Sequence, residues 1–372
     1  MGNAYMNKKA RVIAMYLPQF HPIPLNDEWW GPGFTEWTNV ASAKPLFRGH
    51  NQPRIPADLG FYDLRLPETR EAQAKLAKET GIEGFMYWHY WFGKGKRLLE
   101  RPFNEVLESG KPDFPFCLGW ANHSWSRKTW TAKNGGNAGS VAVEQTYISE
   151  EYVDHFYDVL PAFKDPRYIK VDGKPFFLIF DCASFPNIKQ FIDTWQKLAI
   201  ENGLKGIHFV GNANGYLAEK KIDEIIKCGV DATAFSNSIN AQEKCAHGRI
   251  GLLWKKIKRK YIGTGPECYE YKDIIKYAHS DYETMENVYP TVFPEVDRTP
   301  RSGKGALIYK NSTPELFKEF VSTTANNISN KQEDHRIIIV NAWNEWGEGK
   351  YLEPDTVHGH GYLDAIKEAI KI

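Results

Sequence analysis

Two glutamates three residues apart are the clearest candidates for chemistry in this sequence. Glu345 and Glu348 lie in residues 343–349, shortly after the apolar run 337–340. If the turn after that run is helix-like, side chains at i and i+3 share a face. Cleavage of a glycosidic bond needs one carboxylic acid that protonates the leaving oxygen and one carboxylate that acts as base or nucleophile. Crowding two like charges between the neighbouring tryptophans would raise the pKa of one carboxyl, which favours catalysis, although two solvated glutamates at a helix start would give the same pattern.

Short apolar runs alternate with amphipathic stretches, which predicts eight strands and eight helices. The predicted strands are residues 11–17, 82–88, 115–120, 175–181, 206–212, 230–235, 288–293 and 337–343. The predicted helices are residues 67–80, 98–109, 150–162, 187–202, 217–228, 269–280, 313–327 and 361–372. An open doubly wound sheet would also alternate in this way, but no G-x-G-x-x-G follows the first strand. We therefore predict an α/β fold, a single (β/α)8 TIM barrel over residues 11–372, with residues 1–10 as an N-terminal tail.

The extra length of the chain lies in five segments that follow predicted strands: residues 18–67, 121–148, 236–268, 294–312 and 344–360. In a barrel these segments are long loops on the C-terminal face, where active sites lie. Eleven of the twelve tryptophans lie at a strand end or in the segment after it. Indole rings pack on the apolar faces of sugars. Packing within the loops explains some of them, but their distribution favours a carbohydrate-binding cleft.

The composition of the chain limits the classes of partner that it is expected to bind. The chain has 47 basic and 46 acidic residues and a net charge of +1, which argues against nucleic acid as a partner. No apolar run approaches the ~18 residues of a membrane span. Five cysteines without a C-x-x-C pair favour a reducing compartment, and no signal-peptide cleavage site follows the first apolar stretch. We therefore expect a carbohydrate substrate, no membrane span and a cytoplasmic location.

Metal and cofactor chemistry are not expected. His358 and His360, near Glu353 and Asp355, are the one segment with several ligand-type side chains. They lie in a glycine-rich stretch without further ligands at metal-site spacing. The predicted cofactor is none, and the predicted metal is none.

Further candidates lie at the ends of predicted strands and in the loops after them, where we expect contacts to sugar hydroxyls. The predicted substrate-binding residues are Tyr16, Gln19, His21, Glu36, Trp37, Tyr87, His89, Trp120, Asn122, Trp125, Asp181, Trp343 and Asn344. For His89 a packed, hydrogen-bonded histidine is an equally good interpretation. Asp181 could orient a sugar or pair with a cation.

Two basic features are open to two interpretations. Asp297-Arg298 and Arg301 could clamp a substrate carboxylate or phosphate, or they could form ion pairs that order a loop. The run Lys255–Lys260, flanked by Trp254 and Tyr261, is the one basic cluster of the sequence. Such a run is usually a solvated face, and the alternative is contact with an anionic surface such as membrane headgroups or a lipid-linked glycan.

Three sequence blocks carry a specific resemblance. Residues 16–22 (YLPQFHP), 33–40 (GFTEWTNV) and 343–349 (WNEWGEG) resemble signature blocks of the WbsX family, and residues 60–65, 114–122 and 299–301 match further blocks. The resemblance covers residues 11–365. This family carries a glycosyltransferase label from polysaccharide gene clusters, but its fold resembles glycoside hydrolase family 99. The resemblance therefore implies a (β/α)8 barrel.

Family 99 enzymes are retaining endo-acting α-mannosidases, and the resemblance implies roles for the acidic pair. Glu345 would deprotonate the 2-hydroxyl of the substrate, which attacks the anomeric carbon to give a 1,2-anhydro sugar. Glu348 would protonate the leaving group and then activate water. Residues 122–125 read Asn-His-Ser-Trp where family members usually carry Asn-Glu-Asn-Trp, so the sugar specificity can differ.

The sequence analysis thus predicts a retaining glycoside hydrolase that acts on a manno- or rhamno-configured α-glycoside of a bacterial polysaccharide or oligosaccharide. Three alternatives stay open. A glycosyltransferase would form cell-surface polysaccharide, although the chain contains no Asp-x-Asp ligand pair. A transglycosylase would use the same residues with a sugar acceptor in place of water. A non-catalytic glycan-binding barrel would tolerate loss of the Glu348 acid.

Overall fold

The structure of this chain is a computed structural model that describes residues 8–126, 141–262 and 265–371. Its centre is a barrel of eight parallel strands, numbered β1 to β8: Arg11–Tyr16, Gly84–Trp91, Phe116–Trp120, Lys174–Ile179, His208–Ala213, Ala232–Phe235, Val288–Val292 and Ile337–Val340. Each strand pairs with the next one along the chain. Pairing of β1 with β8, where Ala14 lies opposite Val340, closes the barrel. The predicted (β/α)8 TIM barrel is confirmed.

The strands are apolar because both of their faces are covered. All four residues of β8 are fully buried between the barrel interior and the surrounding helices. Strands of this kind read as continuous runs of β-branched residues instead of alternating patterns. This explains why short apolar runs predicted all eight strands.

The described residues contain thirteen α-helices, numbered α1 to α13: Pro24–Trp30, Glu36–Ser42, Pro67–Glu79, Arg101–Ser109, Tyr152–Lys164, Ile188–Glu201, Ala218–Lys227, Ser238–Cys245, Arg249–Ile262, Tyr271–Ala278, Thr299–Ser302, Pro314–Asn327 and Gly361–Ala369. Eight of them match the predicted helices. The other five, α1, α2, α8, α9 and α11, lie in the long segments after β1, β6 and β7 and were not predicted.

The long segments build a second layer over the C-terminal face. After β6 and β7, three short strands, Glu267–Glu270, Val296–Asp297 and Leu307–Lys310, form a small sheet of their own. Within residues 8–126, 141–262 and 265–371, no helix combines the length and the hydropathy that crossing a membrane requires.

Candidate active site

The two glutamates lie on a short hairpin that follows β8. Asn344–Glu345 pairs antiparallel with Lys350–Tyr351, and a single 3₁₀ turn, Trp346–Glu348, connects them. A side chain at Gly347 would overlap the carboxylate of Glu36, since an added Cβ would lie 1.6 Å from Oε1. Glycine at this position therefore lets a carboxylate from another segment approach the turn closely.

A buried hydrogen-bond network fixes this turn from behind. The ring of Trp346 stacks on Tyr351 with 3.7 Å between centroids, and its Nε1 donates to Glu353 at 2.6 Å. Glu353 also accepts from the hydroxyl of Tyr62 at 2.8 Å and from Nε2 of Gln73 at 2.6 Å. Burial raises the pKa of Glu353 to about 7, against the effect of these donors. Glu353 is therefore a positioning residue with an unusual protonation range.

We expect Glu353→Gln to remove a pH dependence of stability. The pKa of Glu353 is raised from 4.5 to about 7 in the folded protein, which therefore keeps a proton that the unfolded chain loses in this range. Stability consequently falls as pH rises from 4.5 to 7, by up to about 3 kcal/mol. Urea unfolding at pH 5, 6 and 7.5 should show a smaller fall in Glu353→Gln than in the wild type. Glu319→Gln, at an exposed position of α12, should keep the wild-type slope, and equal slopes in all three proteins would contradict the prediction.

One arginine holds the two candidate catalytic carboxylates. Nη1 of Arg301 donates to Oε1 of Glu345 at 3.0 Å and to Oε1 of Glu348 at 2.8 Å. Because both oxygens contact the same nitrogen, they lie within about 6 Å of one another. On its other side, Arg301 binds both carboxylate oxygens of Glu36, at 2.9 and 3.1 Å. A single guanidinium on α11 thus joins three carboxylates from two distant parts of the chain.

Glu36 is the buried support of this arrangement. Its side chain has no exposed surface, and burial raises its pKa while the adjacent Arg301 opposes that shift. An ionised carboxylate in such a place is costly unless a cation satisfies it. Glu36 therefore orients Arg301, which in turn positions Glu345 and Glu348.

Glu348 is surrounded by three cations. Besides Arg301, Nη2 of Arg298 lies 2.9 Å from Oε1 of Glu348, and Nζ of Lys350 lies 2.8 Å from Oε2. Burial would raise the pKa of Glu348, but Lys350, Arg301 and Arg298 together lower it well below its usual value. The carboxyl is consequently ionised.

The carboxylates face a cavity of about 410 Å³, which we call the catalytic chamber. Its lining residues are Leu17, Gln19, Asn26, Trp29, Trp30, Trp88, Tyr90, Ala121, His123, Ser124, Trp125, Phe180, Asn214, Arg298, Arg301, Asn341, Glu345, Glu348 and Lys350. A second chamber of about 310 Å³ adjoins it and shares Trp88, Phe180, Asn214, Arg298, Asn341 and Lys350. The combination of indole rings, amides and carboxylates suits a sugar chain with apolar ring faces and polar edges.

Four of the predicted site residues line the catalytic chamber: Gln19, Trp125, Glu345 and Glu348. The structure thus brings the acidic pair together with residues from the loops after β1 and β3. Glu36 reaches the same site from behind through Arg301.

Other predicted substrate-binding residues pack between the strands and the helices. Tyr16 donates to Gln73 of α3 at 2.7 Å, and the ring of Tyr87 lies 5.3 Å from that of Phe103 on α4. His89 contacts His155 of α5 at 2.9 Å between Nε2 atoms. Because side chains alternate along a strand, Trp88 and Tyr90 point to the chamber and the residues beside them do not. For His89, the packed interpretation matches this position.

The remaining predicted residues hold loops together. Asn344 binds the backbone N–H and carbonyl of Leu17 at 2.7 and 3.1 Å, which ties the hairpin to the end of β1. Asn122 makes the same kind of double contact with the backbone of Asp181, at 2.7 and 2.8 Å. Indole N–H groups of Trp37 and Trp120 donate to backbone carbonyls, and His21 and Trp343 are also buried. None of these side chains lines either chamber as the described residues enclose them.

Several residues that line the chambers were not predicted as site residues from the sequence. Trp29 and Trp30 belong to the unpredicted helix α1, and Lys350 lies just past the acidic pair. Asn214 and Asn341 follow the last residues of β5 and β8. Asn214 lies two residues after the predicted strand 206–212, which was a usable signal, whereas Asn341 lies inside the predicted strand 337–343. Trp130 lies outside the described residues.

The histidines near the C-terminus serve other contacts. The backbone N–H of His358 donates to Asp355, and the ring of His360 lies 2.6 Å from the carboxylate of Asp58. Among the described residues, no group of three or more histidine, cysteine, aspartate or glutamate side chains has the geometry to hold a metal ion.

One family model and two curated proteins match this chain. The model of the family described as "Glycosyltransferase WbsX" matches residues 12–366. Two curated proteins, each named "Uncharacterized protein WxcX" and both from Xanthomonas campestris pv. campestris, are 35% identical to this chain over 373 residues, which is 97% of this chain and 50% of each relative. The chain therefore spans about half the length of the curated relatives it matches.

Solved structures show the same fold at low sequence identity. One is titled "Glycoside hydrolase-like protein", with a TM-score of 0.62, 15% identity, and coverage of 100% of this chain and 97% of that one. Another is the GH99 endo-alpha-mannosidase from Bacteroides thetaiotaomicron, with a TM-score of 0.58, 15% identity and 96% coverage of both chains. At such identities the likeness shows the fold alone, which is that of these glycoside hydrolases.

Proposed function

The chain belongs to the WbsX family, and from that premise we propose that it is a retaining glycoside hydrolase acting on a manno- or rhamno-configured α-glycoside. One observation carries the proposal: Glu345 and Glu348 are held by a shared arginine at the wall of a cavity rich in indole rings. A paired acid and base at the C-terminal face of a TIM barrel is the equipment that glycosidic cleavage needs. The substrate would be a bacterial polysaccharide or oligosaccharide.

The distance between Glu345 and Glu348 is compatible with retention of configuration. Oxygens of Glu345 and Glu348 lie within about 6 Å of each other. Retaining glycosidases place their carboxyl groups about 5–5.5 Å apart, whereas inverting enzymes need about 6.5–9.5 Å to admit a water molecule. The nearest oxygens of the pair are therefore close enough for the retaining course proposed here, in which the sugar 2-hydroxyl takes the place of a carboxylate nucleophile.

We assign the steps as follows. Glu345 accepts the proton of the sugar 2-hydroxyl, whose oxygen attacks the anomeric carbon while the bond to the leaving oxygen breaks. Glu348 gives its proton to that leaving oxygen. In the second half-reaction Glu348 takes a proton from water, the water oxygen opens the 1,2-anhydro ring at the anomeric carbon, and Glu345 returns a proton to O2. Both glutamates end in their starting states.

The family description favours a second candidate, a glycosyltransferase or transglycosylase. Under this alternative the same chamber would pass the sugar to an acceptor hydroxyl in the second chamber. A glycan-binding barrel without catalysis is the third candidate. These alternatives differ from hydrolysis in their products, so product analysis separates them.

The test is product analysis of the purified chain on mannose- and rhamnose-containing bacterial polysaccharides, with nucleotide sugars assayed in parallel. Release of reducing ends with retained configuration, detected by NMR at early times, is the expected result. Sugar transfer from a nucleotide donor would favour the glycosyltransferase instead. Binding of a polysaccharide without any turnover would overturn the hydrolase and favour the glycan-binding barrel.

A further inference from the structure

Arg298 and Lys350 lie at the boundary between the two chambers. Both residues line the catalytic chamber and the second chamber. Both also bind Glu348, at 2.9 Å and 2.8 Å. The side chain of Arg298 is 45% exposed, so its ion pair lies partly in water and is weak and replaceable. The pairs of Arg301 are more deeply buried and hold the framework.

The charges around Glu348 oppose its action as an acid. Three cations face three carboxylates, and the participants are Arg298, Arg301, Lys350, Glu36, Glu345 and Glu348. If Glu348 carries the proton that it must donate, three cations face only two carboxylates. One additional negative charge near Arg298 and Lys350 would restore the balance and remove the cations from Glu348.

We propose that the substrate is an anionic glycan whose charged substituent binds between Arg298 and Lys350 and thereby frees Glu348 to act as the acid. This inference rests on the hydrolase function proposed above and names its substrate class. The substituent is a carboxylate, phosphate or sulfate, since a planar guanidinium and an ammonium recognise the oxygens of each. The sugar that carries it lies across the boundary of the chambers.

The second chamber offers suitable contacts for the rest of that sugar. Neutral side chains supply its polar groups, namely Asn212, Ser236, Ser238, Gln242, Thr291 and Tyr309. Amides and hydroxyls pair with sugar hydroxyls without adding charge. The cationic groups of this chamber are therefore concentrated at its boundary with the catalytic chamber.

A matched pair of polymers tests the proposal. A bacterial polysaccharide containing mannose and glucuronate is compared with the same polymer after chemical reduction of its carboxyl groups. We expect the wild type to prefer the acidic form at least tenfold in kcat/KM and in the affinity of its oligosaccharides. Arg298→Gln and Lys350→Gln should each lower this ratio below threefold. Lys304→Gln replaces an exposed lysine that lies three residues after Arg301 and lines neither chamber, and it should keep the wild-type ratio.

The outcomes separate the two proposals. Cleavage of both polymers at similar rates would overturn the anionic substrate and leave the hydrolase intact. Preferential binding of the acidic oligosaccharides that both variants abolish, without cleavage, would support the anionic site and overturn the hydrolase. Equal binding of both forms without cleavage would overturn both.

An independent observation concerns α9, Arg249–Ile262, which follows β6 at the same end of the barrel as the chambers. Ile250, Leu253, Trp254 and Ile257 are spaced at i, i+3, i+4 and i+7 and therefore share one face of the helix. That face is open, since the first three are 75%, 57% and 58% exposed. The opposite face meets the protein, because Leu252 is buried and Nζ of Lys255 lies 3.9 Å from the ring centre of Tyr269.

The charge of α9 indicates which kind of surface its exposed apolar stripe binds. The sequence of the helix holds six lysine or arginine residues and no acidic residue, although the whole chain is nearly neutral. An exposed apolar stripe with tryptophan on a basic helix is the pattern of a helix that lies in the headgroup region of an anionic bilayer. We infer that α9 docks on an anionic lipid surface and so places the chambers close to membrane-bound glycan.

Vesicle binding tests this second inference. The wild type should co-sediment with vesicles of 70% phosphatidylcholine and 30% phosphatidylglycerol, less so at 0.5 M NaCl, and not with pure phosphatidylcholine. The variant Leu253→Ser/Trp254→Ser should lose at least tenfold in vesicle affinity. Ile200→Ser, which removes an exposed apolar side chain from α6, is the matched control and should bind as the wild type does.

Two results would overturn the inference. One is equal binding of the wild type and Leu253→Ser/Trp254→Ser to anionic vesicles. The other is a wild type that does not bind vesicles but forms a dimer in light scattering, while the double variant is monomeric. That result would assign the apolar stripe to contact with a second copy of the chain.

Discussion

Replacement of Arg301 by methionine is expected to destabilise the protein by about 3–5 kcal/mol, because it leaves a buried carboxylate without its cation. Glu36 is fully buried and receives two hydrogen bonds from Arg301. Without them, Glu36 must either stay charged in an apolar place or take up a proton. Both alternatives cost free energy of folding at neutral pH.

The loss should depend on pH in a defined direction. Burial already raises the pKa of Glu36, and removal of Arg301 takes away the opposing effect. The folded variant then keeps a proton that the unfolded chain releases above the usual pKa of a glutamate. Its stability should therefore fall as pH rises, and the difference from the wild type should be larger at pH 8 than at pH 5.

Urea unfolding of three proteins measures this effect: the wild type, Arg301→Met and Glu36→Gln/Arg301→Met. The double variant has no carboxyl at position 36, so it should recover part of the lost free energy of unfolding and lose most of the added pH dependence. A loss below about 1 kcal/mol in Arg301→Met would contradict the assignment of Glu36 and Arg301 as a buried pair, since such a value is typical of exposed ion pairs.

The barrel could be predicted because its signal is local. Each strand is a short run of apolar residues, and the run is apolar because the strand is buried on both faces, as in β8. The strand bounds were less certain, and β2 continues to Trp91. Because side chains alternate, Trp88 and Tyr90 face the chamber while His89 packs against α5. Naming the right strand end was therefore not enough to choose the right side chains.

The buried ion pairs of the site could not be predicted from the sequence in the same way. Glu36 and Arg301 are 265 residues apart, and only the closed barrel brings them together. Either arginine near position 300 could have been a substrate clamp or a loop-ordering pair from its sequence alone. The structure separates them, since Arg301 is enclosed among three carboxylates and Arg298 is partly exposed at the chamber boundary. Long-range packing, not local pattern, decides between such roles.

The tryptophans divide along similar lines. Trp29, Trp30, Trp88 and Trp125 line the catalytic chamber, whereas Trp37, Trp120, Trp343 and Trp346 are buried in the structure that supports it. Some indole rings therefore line the proposed sugar site, and others pack within the structure behind it. What distinguishes the two groups is which face of a strand or helix each indole occupies, and this is set by tertiary packing.

Glu348→Gln is expected to lower kcat on a natural glycan about 10²–10⁴-fold, the contribution of a positioned general acid. Glutamine keeps the size of the side chain and an acceptor for Arg301 but has no proton to give to the leaving oxygen. The loss should nearly vanish in kcat/KM for a 2,4-dinitrophenyl glycoside of the sugar found by product analysis, because this constant reports the first step and that leaving group departs without protonation, while kcat stays low because water still lacks its base. Glu345→Gln should lose activity on both substrates, since activation of the 2-hydroxyl is needed in each.

This comparison gives the two glutamates different signatures that a structural defect would not produce. A variant that merely distorted the hairpin would lose activity on both substrates, so selective rescue of Glu348→Gln by the activated glycoside identifies the acid. The pH profile of kcat gives a second readout, because the fall in kcat with rising pH that reports loss of the acid proton in the substrate complex should be absent in Glu348→Gln. Glu319→Gln on α12 serves as the control and should match the wild type in both assays. Equal losses on both substrates in Glu348→Gln would move the acid role to another group and exclude the assignment made here.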